Sequence, residues 1–162
     1  MTLLPIVKYP SPLLGQQSAP VSAFDGTLQK LAADMFATLA GLHGVGLAAI
    51  QVGVPLRVFI TDTGKGRERR RMVFVNPKII QRAGEIESIE GCLSYPGYEG
   101  KVLRAAKVTI EAQDLAGKKF RVKGQALLGR VLQHENDHLD GIMFLDKLLP
   151  DTLAPVERPG TF

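Results

Sequence analysis

The stretch LQHENDHLDG, residues 132–141, constrains this chain more than any other. It holds two of the three histidines, four residues apart, with an acid directly after the first. On a helix each residue advances about 100°, so His134 and His138 project within roughly 40° of one another. Two imidazoles on one face can reach a single metal ion. Glu135 projects about 60° from His138, beside such an ion rather than on it. A base in that place can take a proton from a water the ion has activated. The bland alternative is two surface histidines on a wet face. The same stripe otherwise carries Leu127 and Val131, so it is expected to be buried, and an unpaired imidazole pair there is costly to desolvate. A helix over residues 125–139, ended by Gly141, is the first requirement on the fold.

A third ligand is needed, and a catalytic site keeps one position open. Downstream of His138 stand only Asp146, Asp151 and Glu157 among suitable groups, besides Asp140 two residues on. His43 lies among glycines and reads as a loop residue. The stronger candidate is upstream, because a thiolate binds borderline metals better than an exposed carboxylate. Cys92, the single cysteine, sits in EGCLSYPG, where Gly91 permits close approach and Pro96-Gly97 is expected to force a turn just after it. Two rivals stay open: a different hydrolase using Glu157 as ligand, and a non-catalytic module braced by metal. Glu135 argues against the second, since a structural site has no use for a base.

The 162 residues, 45% hydrophobic and 22% charged, suit one domain with a real core. No apolar run is long enough to cross a bilayer, and MTLLPIVKYP has no leader pattern, so a cytoplasmic protein without a membrane is expected. One cysteine excludes a disulfide within the chain and fits a reducing compartment. The net charge of +4 comes with GKGRERRR, residues 64–71; outside it the chain has 15 residues of each sign. That reads as one solvated turn rather than a basic face. Without interleaved aromatics, no specific nucleic-acid partner is expected.

SAFDGTLQKLAADMFATLAG carries Leu28, Leu31, Met35 and Leu39 at helical spacing. It predicts an amphipathic helix capped by Ser22 or Asp25 and ended by Gly41 and Gly44. LRVFITD and MVFVNP flank the basic loop as one hairpin; KVTIEAQDLAGKKFRV makes a second around 114–117. In HGVGLAAIQVG the spacing G-x-G-x-x-A invites a dinucleotide-binding turn, but that turn needs a strand before and a helix after. The order here is reversed. The alternatives are a bland glycine-rich loop or a close-approach loop presenting Gln51, whose amide can donate to an oxyanion.

GVGLAAIQ, EGCLS and QHENDHLDG, in that order, resemble the three signatures of the peptide deformylase family. The opening helix and the segment ending in Ala105 extend the likeness over nearly the whole chain, residues 1–162, as one catalytic domain. The resemblance implies an α+β fold, with antiparallel sheets packed around a central helix bearing the two histidines. It implies removal of the formyl group from N-formylmethionine at the start of newly made polypeptides, releasing formate. Carried over by matching position, Cys92, His134 and His138 would hold the metal, and Glu135 would be the general base and then acid. Gln51 and the Leu93 N–H would meet the oxyanion, with Val45, Gly46, Gly91 and Leu127 around the substrate. The implied ion is Fe(II), with zinc, nickel or cobalt in purified protein. The implied partners are nascent N-formylmethionyl peptides, with room for a transient ribosome contact, in the bacterial cytosol or an organelle.

Overall fold

The computed structural model describes residues 1–156; Glu157 lies outside the described residues. The opening segment is irregular apart from a 3₁₀ turn at Pro12–Gly15. Helix α1, Gly26–Leu42, starts at Asp25, whose side chain accepts from the N–H groups of Thr27 and Leu28. The cap is therefore Asp25 rather than Ser22. Gly41 does not end the helix. It lies in the last turn, and His43 stops it with a left-handed φ of 55°.

The remaining elements are strands β1 (Gly46–Ala48), β2 (Val58–Thr63), β3 (Arg70–Ala83), β4 (Ile86–Cys92), β5 (Tyr95–Arg104), β6 (Lys107–Gln113) and β7 (Lys119–Gln125), helix α2 (Ala126–Leu139) and strand β8 (Ala154–Pro155). β1-β2-β3-β6-β7 form one antiparallel sheet and β4-β5-β8 another. Both hairpins expected from alternation, β2–β3 and β6–β7, are present. In the larger sheet, Val58 and Ile60 face α1 and pack with Met35, Leu39 and Leu47. Phe59 faces the other way, stacking on Phe74 among Ile110, Leu132 and Leu139. Period two thus divides one strand between two helices. This is the α+β architecture the motifs imply.

Gly129 should weaken α2 by about 1 kcal/mol relative to alanine. Packing explains why it is there: a Cβ at Gly129 would lie 3.0 Å from the backbone of Gly124 in β7. The helix needs a glycine to sit this close to the sheet.

Two expectations need correction. Pro96-Gly97 makes no turn after Cys92; the turn is Leu93–Ser94, and both residues belong to β5. Cys92 pairs with Tyr95 but Gly91 with Glu99, so residues 96–98 are extra on β5 and bulge out of register. The net excess does fall in the 64–71 segment, but exposed basic side chains also gather elsewhere on one face. In the 64–71 segment, Arg69 and Arg71 are spent on the buried Asp62. Strand alternation then puts exposed Lys107, Lys119, Arg121 and Lys123 on one outer face of β6–β7, against a single Glu111.

Candidate active site

Helix α2 and the end of β4 bring three ligand atoms together. Cys92 Sγ lies 3.3 Å from His138 Nε2, which lies 3.2 Å from His134 Nε2. All three atoms fall within 4.8 Å of one another. The edges suit a tetrahedral ion with metal–nitrogen bonds of about 2.0 Å and a metal–sulfur bond of about 2.3 Å. Three protein donors rather than four is the count of a catalytic site, and these are the three among the described residues. Burial opposes ionisation of Cys92, but His138 and His134 outweigh it and hold the thiol well below its ordinary value. The ligand-competent thiolate is therefore favoured.

Glu135 lies beside this cluster, 4% exposed, with Oε2 buried and making no hydrogen bond within the protein. Burial raises its carboxyl to about 7, though the adjacent imidazoles pull the other way. A general base benefits from a value near the working pH. Gly46 stands opposite, where a Cβ would come 2.5 Å from Glu135 Oε1 and 2.8 Å from Val131 Cγ1. Only glycine fits there.

Gln51 sits in a 3₁₀ turn, Ala49–Val52, and is 2% exposed. The Ala48 N–H donates to its Oε1 at 2.9 Å, which aims the amide nitrogen at the cluster. That nitrogen lies 3.4 Å from Cys92 Sγ and 3.1 Å from the buried Ser94 Oγ. The glycine-rich stretch is therefore part strand, part 3₁₀ turn, and it delivers Gln51 to the thiol.

Behind these three side chains lies a buried ionic network that the sequence motifs do not reveal. Arg104 Nε and Nη2 each donate to Glu90 at 2.8 Å, and Nη1 donates to Asp137 at 2.5 Å. Glu90 Oε2 lies 2.9 Å from His134 Nδ1, so a carboxylate fixes that ring. Lys147 also reaches Asp137. Burial alone would raise Glu90, but bonds with Arg104 and His134 outweigh it and bring it to about 2. Its share of stability is complete above about pH 4.5, and is lost as pH falls towards 2. Removing one partner of a buried pair strands the other. Arg104→Met is accordingly expected to cost about 3–5 kcal/mol in urea unfolding. A loss below about 1 kcal/mol, typical of surface pairs, would refute the network's structural role.

A cleft of about 750 Å³ is lined by Val45, Gly46, Gln51, Gly91, Cys92, Leu93, Leu127, His134 and Glu135. Of the site residues expected from sequence, His138 alone stays behind the wall, fully buried. Leu127 departs from the expected buried stripe. It is 37% exposed, because the first turn of α2 stands at the cleft mouth. Glu90 shares a strand face with Cys92 two residues on, a signal available in EGC. Asp137 lies inside the histidine motif. Ser94 and Arg104 carry no local signal, since their roles depend on which strands pair.

An α+β chain that folds an HExxH helix against a cysteine-bearing strand, with a buried carboxylate at the cluster, is built as a metal-dependent hydrolase. Residues 3–153 match the family model for polypeptide deformylase. The chain belongs to the peptide deformylase family. It is 45% identical over 149 residues to a peptide deformylase of Rhizobium meliloti, covering 90% of this chain and 85% of that one. A crystal structure of a peptide deformylase from Legionella pneumophila is 45% identical at a TM-score of 0.88, covering 92% and 88%. One from Thermotoga maritima is 32% identical at 0.87, covering 93% of this chain and 100% of that one. The chain is thus an enzyme that removes the N-formyl group from newly made polypeptides, and its family depends on a metal.

Proposed function

We propose that the cleft hydrolyses the formyl amide of N-formylmethionyl peptides, with Cys92, His134 and His138 as ligands of one divalent ion. The observation that carries this reading is the convergence of one thiol and two Nε2 atoms beside the unpartnered carboxylate of Glu135. When bound, a divalent ion supplies Lewis-acid chemistry, lowering the pKa of water and stabilising negative charge on oxygen. Glu135 takes a proton from the water that attacks the formyl carbon. The charge developing on the formyl oxygen is met by Gln51 Nε2 and the Leu93 N–H. Both amide contacts of Gln51 are engaged, and the longer one, to Sγ, is the one an oxyanion replaces. Glu135 then returns the proton to the leaving amine, giving formate and a free N-terminal methionine. Val45, Gly46, Gly91 and Leu127 shape the substrate's path. Formate release from formyl-Met-Ala-Ser, with none of the corresponding cleavage from acetyl-Met-Ala-Ser, is the test. Absence of formate release by metal-replete protein would overturn the reading.

The amide of Gln51 is expected to strengthen its bond only as charge develops. Gln51→Ala should therefore lower kcat by on the order of 10²-fold with little change in KM. A rise in KM alone would make Gln51 a binding residue.

The proposed ion is Fe(II), on the family resemblance; one thiolate and two imidazoles also suit zinc, nickel and cobalt. Protein purified under nitrogen should then contain iron and lose formate release in air, together with oxidation of Cys92. Zinc-loaded protein should outlast it. Equal lifetimes in air and nitrogen, with intact Cys92, would exclude iron. The same proposal places one catalytic domain over residues 1–162 in the bacterial cytosol, meeting nascent chains in transient contact with the ribosome. Its supports are the bacterial relatives and the lack, among the described residues, of a helix long and apolar enough to cross a membrane.

A further inference from the structure

Residues 7–9 make three hydrogen bonds that the chemistry above does not use. The Val7 N–H donates to the Gln51 carbonyl at 2.8 Å, and the Tyr9 N–H to the Ser94 carbonyl at 2.8 Å. Between them, Lys8 Nζ donates to the Leu93 carbonyl at 2.8 Å. Three consecutive residues thus hold the two backbone segments that carry Gln51 and the Leu93 N–H. The Tyr9 ring adds an edge contact to Tyr95, immediately beyond the Leu93–Ser94 turn, at 5.5 Å between centroids. Upstream, the Thr2 N–H bonds to Asp34 and the Leu4 N–H to Thr38, which fastens the same segment to α1.

The Leu93–Ser94 turn needs such a hold. It closes the β4–β5 hairpin just where the ladder loses register, with residues 96–98 bulged between the Cys92–Tyr95 and Gly91–Glu99 pairs. Beyond the Cys92–Tyr95 pair that closes the turn, the next three residues of β5 have no partner in β4. The carbonyls of Leu93 and Ser94 are taken by Lys8 and Tyr9. Fixing the peptide planes on the C-terminal side of Leu93 limits rotation about its backbone, and so limits where its N–H can point. Oxyanion donors act by being in place before charge develops, so their aim matters more than their number.

We propose that residues 7–9 form a strap that aligns the two oxyanion donors, with Lys8 as the positioning residue for the Leu93 N–H. The proposal rests on the reading of Gln51 and Leu93 as those donors. Lys8 is exposed and its carbonyl bond is accessible to water, so its effect is a matter of alignment and is modest.

The test compares the wild type with Lys8→Met and Lys8→Arg, all loaded with the same divalent ion. Lys8→Met is expected to lower kcat about threefold to tenfold, the range for one ordinary lost hydrogen bond, because water weakens the charged bond at this exposed site. KM and the affinity for the product peptide Met-Ala-Ser should hold, as should metal content and the thermal midpoint. Lys8→Arg, which restores a cationic donor, should recover most of kcat. Amide exchange supplies a readout independent of turnover: the Leu93 and Ser94 amides should exchange faster in Lys8→Met, with α2 unchanged. Unchanged kcat with unchanged exchange at Leu93 and Ser94 would overturn the proposal. A higher KM at constant kcat would also overturn it, by making Lys8 a substrate contact. Faster exchange throughout the chain would reduce the strap to a general structural role. If the wild type releases no formate, the oxyanion reading fails, and the exchange comparison still decides whether Lys8 holds the turn.

Discussion

Glu135→Gln is expected to bind its metal like the parent chain and to lose about 10²–10⁴-fold in kcat, the usual worth of positioned acid–base catalysis. The substitution keeps volume and one acceptor oxygen but removes the carboxylate proposed to take and return the proton. Loss of fold is not the expected cause. Burial raises the Glu135 carboxyl to about 7 in the folded chain, above its ordinary 4.5. A carboxyl raised on folding leaves stability intact below about pH 4.5, and withdraws it as pH rises through about 7. A neutral glutamine escapes that cost, so metal-free Glu135→Gln should be at least as stable as the parent above pH 7. Chemical unfolding of both proteins at pH 5 and pH 8 checks the sign. Turnover near wild type would assign the base elsewhere.

Cys92→Ala is expected to lose both metal and turnover. The two histidines remain, but two imidazoles alone bind a divalent ion poorly, and the thiolate is the softest donor in the site. The damage should be local. Cys92 packs with Leu14, Val102, Met143 and Phe144, and alanine there removes one sulfur from that cluster. Metal analysis after gel filtration, with urea unfolding as control, separates ligand loss from misfolding. Stoichiometric metal with normal formate release would remove Cys92 from the ligand set.

What could be read from sequence was what depends on near neighbours. The four-residue histidine spacing puts both rings on one face of a helix, a relation that depends only on near neighbours, and α2 spans Ala126–Leu139. Alternation in β6 and β7 is local in the same sense. The β4–β5 hairpin was not legible, because IESIEGC does not alternate cleanly and its exposed Ile86 and Ile89 mimic an inward face. Pro96-Gly97 looked like a turn and serves instead as part of a bulge, which only the partner strand defines. Arg104 reads as a surface cation at the end of a strand. Its burial follows from Glu90 and Asp137, 14 and 33 residues away in the chain, arriving at the same place. Leu127 had the right spacing for a buried stripe, but position at a helix end put it at the cleft mouth.

The proposed chemistry requires one ion held by one thiolate and two imidazoles at the place where the formyl group is cleaved. X-ray absorption at the metal edge of active protein tests it most directly, with activity measured on the same sample. The account predicts one sulfur at about 2.3 Å and two imidazole nitrogens at about 2.0–2.1 Å from the metal. In Cys92→Ala the sulfur signal should vanish with the metal. An active sample whose metal has no sulfur neighbour, or only one imidazole, would contradict the account.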